Sequence, residues 1–197
     1  MKWNNITELN SKDYKCGHCG KDIASKEGYK ATTENYGRMS SQSYSIDGQI
    51  YICHFCEKPT FFDYNDEQFP GAIFGNSVNY ISDDLVSNLF EEARRCHSVN
   101  AFTSSVMCCR KLLMNISVSE GAKEGLSFQG YIDYLDNNGY VPPNGKTWVD
   151  NIRKLGNTAN HKIETQNENN SKLILNFTSM LLKFIYEMPG LLENSAE

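Results

Sequence analysis

"KCGHCGK", residues 15–21, sets Cys16 and Cys19 two residues apart among glycines, and "YICHFCEK", residues 51–58, repeats the spacing with Cys53 and Cys56. A two-residue gap lets neighbouring cysteines bind one ion without strain, and four thiolates complete a tetrahedral shell. The pattern predicts a structural Zn2+ held by Cys16, Cys19, Cys53 and Cys56. Four free core thiols would leave the regular spacing unexplained. A closed four-cysteine set keeps no coordination position for water, so this metal serves folding or docking rather than catalysis. His18 and His54 sit inside the two knuckles and read as exposed loop residues, not ligands.

The surroundings of the knuckles are rich in Tyr, Ser and Gly and read as short strands and turns. "SYSIDGQIYICHFC" reads as a hairpin, with strands at 44–46 and 49–52 flanking Asp47-Gly48, a pair suited to a two-residue turn. A zinc ribbon domain is therefore expected over residues 1–70, closed by the connector "NDEQFPGAIFGNS" at 65–77. The fold class is α+β: a small β-rich ribbon, then an all-α bundle over residues 78–197.

Helical periodicity marks that second part. Ser82 is the expected N-cap of a first helix to about residue 98, with Asp83 and Asp84 at its positive end and Leu85, Leu89, Ala93 and Cys96 on one face. Asn100 is a candidate cap for a second helix whose stripe is Phe102, Val106, Cys109, Leu113 and Ile116. Ser127 opens a third through Leu135. Thr147 begins a fourth with Val149, Ile152 and Leu155 inward. After the polar run "ETQNENNS", residues 173–188 make an apolar last helix ended by Pro189-Gly190. Cys96, Cys108 and Cys109 lie on helix faces and read as small buried residues.

Hydrophobic residues make up 40% of the 197 and aromatics 12%, enough for a packed core. The formal charge is -5, and neither part is basic: residues 1–76 carry 8 Lys and Arg against 10 Asp and Glu, leaving 11 against 14. That excludes a protein gripping a long nucleic-acid backbone by bulk charge. The first residues contain no apolar run of signal-peptide type and no segment reaches the length of a membrane span, so a cytoplasmic protein with reduced thiols is expected, without membrane attachment.

"RKLGNTANHK", residues 153–162, is the candidate catalytic stretch. On a helix continuing through Gly156, Arg153, Asn157 and His161 fall on successive turns. Arg can grip a phosphate, His can exchange a proton near neutrality and Asn can orient either. Those groups suffice for metal-independent RNA cleavage. The alternative is a helix end in which Gly156 turns left-handed, Asn157 or Thr158 caps the next segment and His161 meets an exposed carbonyl.

The cysteine ribbon followed by "LFEEARRCHSVNAFTSSVMCCRKLLMNI", "LSFQGYIDYLDNNGYVPP" and "IRKLGNTANH" resembles domain-of-unknown-function family 4145, with Glu92-Ala93, Arg110, Gly156-Asn157 and His161 the most specific points. That family is similar to the HEPN superfamily and recurs near defence genes. The resemblance implies a four- or five-helix up-and-down bundle, a homodimer with a composite cleft, and metal-independent ribonuclease activity on an RNA substrate. Here seven residues separate Arg153 from His161, a wider spacing than the superfamily pattern. His161 as acid/base and Asn157 therefore carry over better than Arg153, and Arg110 is a second candidate cation. A non-catalytic module binding a protein or nucleic-acid partner is the competing expectation.

Overall fold

The computed structural model describes residues 2–36, 42–158 and 165–194. The chain divides into two compact units, Met1–Ile73 and Phe74–Glu197. An N-terminal antiparallel sheet followed by helices makes the fold α+β, as the sequence predicts.

In the first unit, β1 (Thr7–Lys15), β2 (Asp22–Tyr36), β3 (Gln42–Ile52), β4 (Pro59–Asp63) and β5 (Gln68–Phe69) form one sheet in sequential order. Every pairing is antiparallel. That topology places the β1–β2 and β3–β4 connections at one end of the sheet, and these are the two cysteine knuckles. One face buries Leu9, Tyr14, Ile23, Tyr51 and Phe62 against the cysteines. The Tyr14, Tyr51 and Phe62 rings meet at tilted or edge-on angles, with centroids 5.2 to 6.2 Å apart.

Asp47-Gly48 is not a turn. It lies inside β3, where the register slips so that Ala31 faces Gly48 and Thr32 faces Ile46, leaving Asp47 as the extra residue of a bulge. Neither residue has positive φ. The Asp47 carboxylate accepts from the Thr33 hydroxyl at 2.5 Å and from the Ser45 hydroxyl at 3.3 Å. A Cβ at 48 would come within 2.4 Å of the Phe61 ring, so any larger residue there would have to displace that ring. The β2–β3 connection, residues 37–41, lies outside the described residues.

The second unit holds α1 (Asp84–Ser98), α2 (Phe102–Ser119), α3 (Phe128–Asn137), α4 (Lys146–Thr158), α5 (Glu168–Leu182) and α6 (Met188–Asn194), with a wider π turn at Lys183–Glu187. α2 is central and packs on α1, α3 and α5, while α4 packs on α3 and α5. Phe90, Cys109, Leu113, Ile116, Ile132, Ile152, Phe177 and Leu181 are among the fully buried residues of the shared core.

Several helix details differ from the sequence expectations. Asp83, not Ser82, caps α1 by accepting from the Leu85 amide at 2.8 Å. The buried face of α1 is Val86, Phe90, Ala93 and His97, one residue out of phase with Leu85 and Leu89, and Leu85 is 79% exposed. Asn100 takes a φ of +62° instead of capping α2, which starts after Ala101 without a side-chain cap. Ser127 does cap α3. α5 starts at Glu168, capped by Asn167, because the polar run supplies its first turn. Pro189-Gly190 does not end the helical segment. The π turn just before Pro189 loosens the backbone where its ring would meet the carbonyl four residues earlier.

Candidate metal centre and the polar clusters of the helical unit

The two knuckles are built alike. In the first, the Cys16 amide donates to Lys21 O at 2.9 Å and the Gly20 amide to Cys16 O at 2.9 Å. In the second, Cys53 donates to Lys58 O at 3.1 Å and Glu57 to Cys53 O at 2.8 Å. Both turns need a left-handed residue four positions after the first cysteine, with φ of +70° at Gly20 and +57° at Glu57. The turns gather the sulfurs of Cys16, Cys19, Cys53 and Cys56 within 4.8 Å of one another. Cys16 meets Cys56 and Cys19 meets Cys53 at 3.8 Å. Such a set can hold one metal ion.

The thiols resist ionising together without a cation. Burial pushes Cys16 up. Burial also drives Cys56 up to about 12, with the other three thiols adding to the rise. Burial acts upward on Cys53 as well, but hydrogen bonds from the Cys56 and Phe55 amides and neighbouring thiols outweigh it and leave Cys53 low. The Cys16 sulfur likewise accepts from the His18 amide at 3.4 Å. His18 is half-buried, its Nε2 2.9 Å from Pro59 O, and His54 is exposed; neither joins the cluster.

On α4, Arg153 is held by three carboxylates. Its Nε donates to Asp133 at 2.6 Å, Nη1 to Asp150 at 2.8 Å and Nη2 to Asp136 at 3.2 Å. Burial works against its charge, but Asp133, Asp150 and Asp136 together raise its pKa further. α4 continues through Gly156 to Thr158, so Arg153 and Asn157 occupy successive turns. The Asn157 side chain and all of His161 lie outside the described residues.

Arg110 of α2 is buried, its guanidinium 4.5 Å from the Phe128 ring centroid, and Nη1 donates to Leu155 O of α4 at 3.3 Å. Burial lowers its pKa. Of the other helical cysteines, Cys109 is fully buried and Cys96 and Cys108 are half-buried.

Two polar residues of α1 escaped the sequence reading. Arg94 donates to the Phe74 and Gly75 carbonyls at 2.9 and 2.7 Å, to the Ser77 hydroxyl at 3.0 Å, and to Glu91. It fastens the segment entering the helical unit onto α1. His97 Nδ1 lies 2.8 Å from the Ser171 hydroxyl of α5, between the rings of Phe74 and Phe102. The Glu91–Arg94 spacing was the one visible signal of the first cluster. His97 gave none.

A family model described as a domain of unknown function (DUF4145) matches residues 91–195, more than half of the chain. No curated protein and no solved structure matches the sequence.

Proposed function

Starting from a chain that belongs to the family described as a domain of unknown function (DUF4145), we propose that the protein is a non-catalytic recognition module, a zinc ribbon followed by a helical domain that engages a protein partner. One observation carries the non-catalytic reading: each nitrogen of Arg153 is on a different aspartate, so three of its five N–H donors are committed and three carboxylates surround the charge that a phosphate would need. The four sulfurs suit Zn2+, since Zn–S bonds of about 2.3 Å require sulfurs about 3.8 Å apart at a regular tetrahedron's edges. Two of the sulfur pairs, Cys16–Cys56 and Cys19–Cys53, are at 3.8 Å. When bound, the ion supplies folding free energy. A cytoplasmic setting, where thiols stay reduced, suits this role.

A protein partner fits the acidic formal charge of -5 better than a polyanion. A cleft of about 480 Å³ beside the second knuckle is bordered by Lys2, Trp3, Lys26, His54 and Glu57. Both charge signs and an indole at its rim suit a polypeptide. Elemental analysis is expected to find one zinc per chain, and RNA incubated with the protein in EDTA to stay intact. Cleavage that disappears in His161→Ala would overturn the proposal.

A second reading has one observation in its favour. Arg110 reaches the carbonyl of Leu155, two residues before Asn157. In a HEPN-like homodimeric ribonuclease of defence or toxin type, His161 would serve as acid/base, Asn157 would position the phosphate, and Arg110 in place of Arg153 would stabilise its charge. Metal-independent cleavage lost in Arg110→Met and His161→Ala but kept in Arg153→Met would establish it.

A further inference from the structure

α1 and α2 are joined by residues 99–101 alone and pack against each other as an antiparallel pair. A groove of about 380 Å³ along their seam shows which residues face each other. Val86, Leu89 and Glu92 line it from α1, and Asn115, Leu112 and Lys111 line it from α2. In that register Glu92 stands across from Leu112. One turn further along α1 comes Cys96, and one turn back along α2 comes Cys108, so the two thiols meet across the seam. The Cys108 thiol donates a hydrogen bond to the Cys96 sulfur. Both residues are half-buried, whereas the neighbouring Cys109 is fully buried and its thiol is hydrogen-bonded to Thr178 of α5.

Charges from both helices act on the pair. On Cys96, burial and Glu92 push the pKa up, Arg95 and the hydrogen bond from Cys108 pull it down, and the upward effects win. On Cys108, burial, Glu92 and Cys96 push up, Lys111 pulls down, and the result is again upward. Both groups are therefore thiols at neutral pH. The hydrogen bond stabilises an anion on Cys96 and not on Cys108, so Cys96 attacks first and Cys108 follows.

We infer that Cys96 and Cys108 are a redox-active dithiol, which a small disulfide of the glutathione type converts into a reversible bridge between α1 and α2. The Cys96 thiolate attacks one sulfur of the reagent, and the other half leaves as a thiolate. The Cys108 thiolate then attacks the Cys96 sulfur in the mixed disulfide and expels the second half. The two protein thiols give up two electrons and two protons, and the small disulfide becomes two thiols. The bridge closes a loop over residues 97–107 and clamps the seam beside Glu92 and Lys111. The inference does not depend on the proposed function.

The test is incubation of the full chain with oxidised glutathione in the presence of Zn2+, then acid quenching, alkylation of the remaining thiols and peptide mapping by mass spectrometry. Chymotryptic cleavage after Phe102 separates Cys96 from Cys108 unless a disulfide joins them. The wild type is expected to lose two hydrogens, to retain no glutathione and to show those two peptides linked, with dithiothreitol restoring the starting mass. Cys108→Ser should stop at a glutathione on Cys96, and Cys96→Ser should form no bridge. The bridging rate should rise by about tenfold per pH unit from neutrality upward, as the thiolate fraction does. The wild-type map decides the matter even if a serine variant fails to fold. Glutathione retained on the wild type, a bridge to Cys109 or to a knuckle cysteine in place of this one, or Cys96 and Cys108 left free at every pH would each overturn the inference.

Discussion

Glu57 occupies in the second knuckle the left-handed position that Gly20 fills in the first. A residue with a Cβ is held there at a cost of about 1 kcal/mol that glycine avoids. Glu57→Gly should therefore raise the thermal midpoint of the metal-loaded protein by the equivalent of less than about 1 kcal/mol, since the interaction that Glu57 makes and the entropy of glycine offset part of the gain. The hydrogen bond from the Trp3 indole would be kept, because it ends on the Glu57 backbone carbonyl. His97 argues in the opposite direction. Burial, and Lys172 after it, lower its pKa below the ordinary 6.5, with Glu168 partly opposing. The unfolded chain then binds a proton that the folded one refuses. The stabilisation is complete above pH 6.5 and is lost as pH falls from there through the folded pKa. Urea midpoints of wild type and His97→Gln should differ most at neutral pH and converge toward pH 5; a constant gap would refute the linkage. The cysteine knuckles were legible because their chemistry is local to four residues. Asp47-Gly48 misled because a bulge and a turn draw on the same residue types, and only the pairing of β3 with β2 and β4 decides between them.

α3 and α4 are clasped by one cation. Arg153 links Asp133 and Asp136 of α3 to its own helix, where Asp150 closes the fork. Removing it leaves three carboxylates facing each other at partly exposed positions. Arg153→Met should lower stability by about 1 kcal/mol at low salt and by less at high salt, since solvent and ions screen such groups. Chemical unfolding at two ionic strengths measures this. A stability unchanged by the substitution would mean that the clasp contributes nothing and would return Arg153 to the candidate cations. The sequence placed Arg153 at a helix spacing from Asn157, which α4 reproduces, but could not place it against "DYLD" of α3, because that meeting depends on how two helices pack. Helix phase was exposed to the same limit. Leu85 and Val86 are adjacent and both apolar, so the pattern alone left α1 free to rotate by one residue, and packing on α2 and α5 chose the phase that buries Val86 with Phe90 and Ala93.

The two units have separate cores of unequal strength. That of the helical unit runs through five helices, whereas that of the ribbon is a small group in which Cys16 and Cys53 are themselves buried members. A sheet with so little apolar material depends on a staple, and four thiols that resist joint ionisation become that staple only with a cation among them. The division was legible because alternation and cysteine pairs give way to helical periodicity at the Pro/Gly connector. The setting of Arg153 was not, since it depends on which carboxylates of α3 pack against α4. Chelation should therefore act on one unit. Metal removal under reducing conditions is expected to abolish the near-ultraviolet signal of Tyr14 and Tyr51 while most of the helical ellipticity at about 222 nm survives to a separate thermal transition. Cys16→Ser should reproduce that state without chelator. If chelation or Cys16→Ser melted the helices as well, the units would be coupled in stability; if neither altered the sheet, the staple would be something other than a metal.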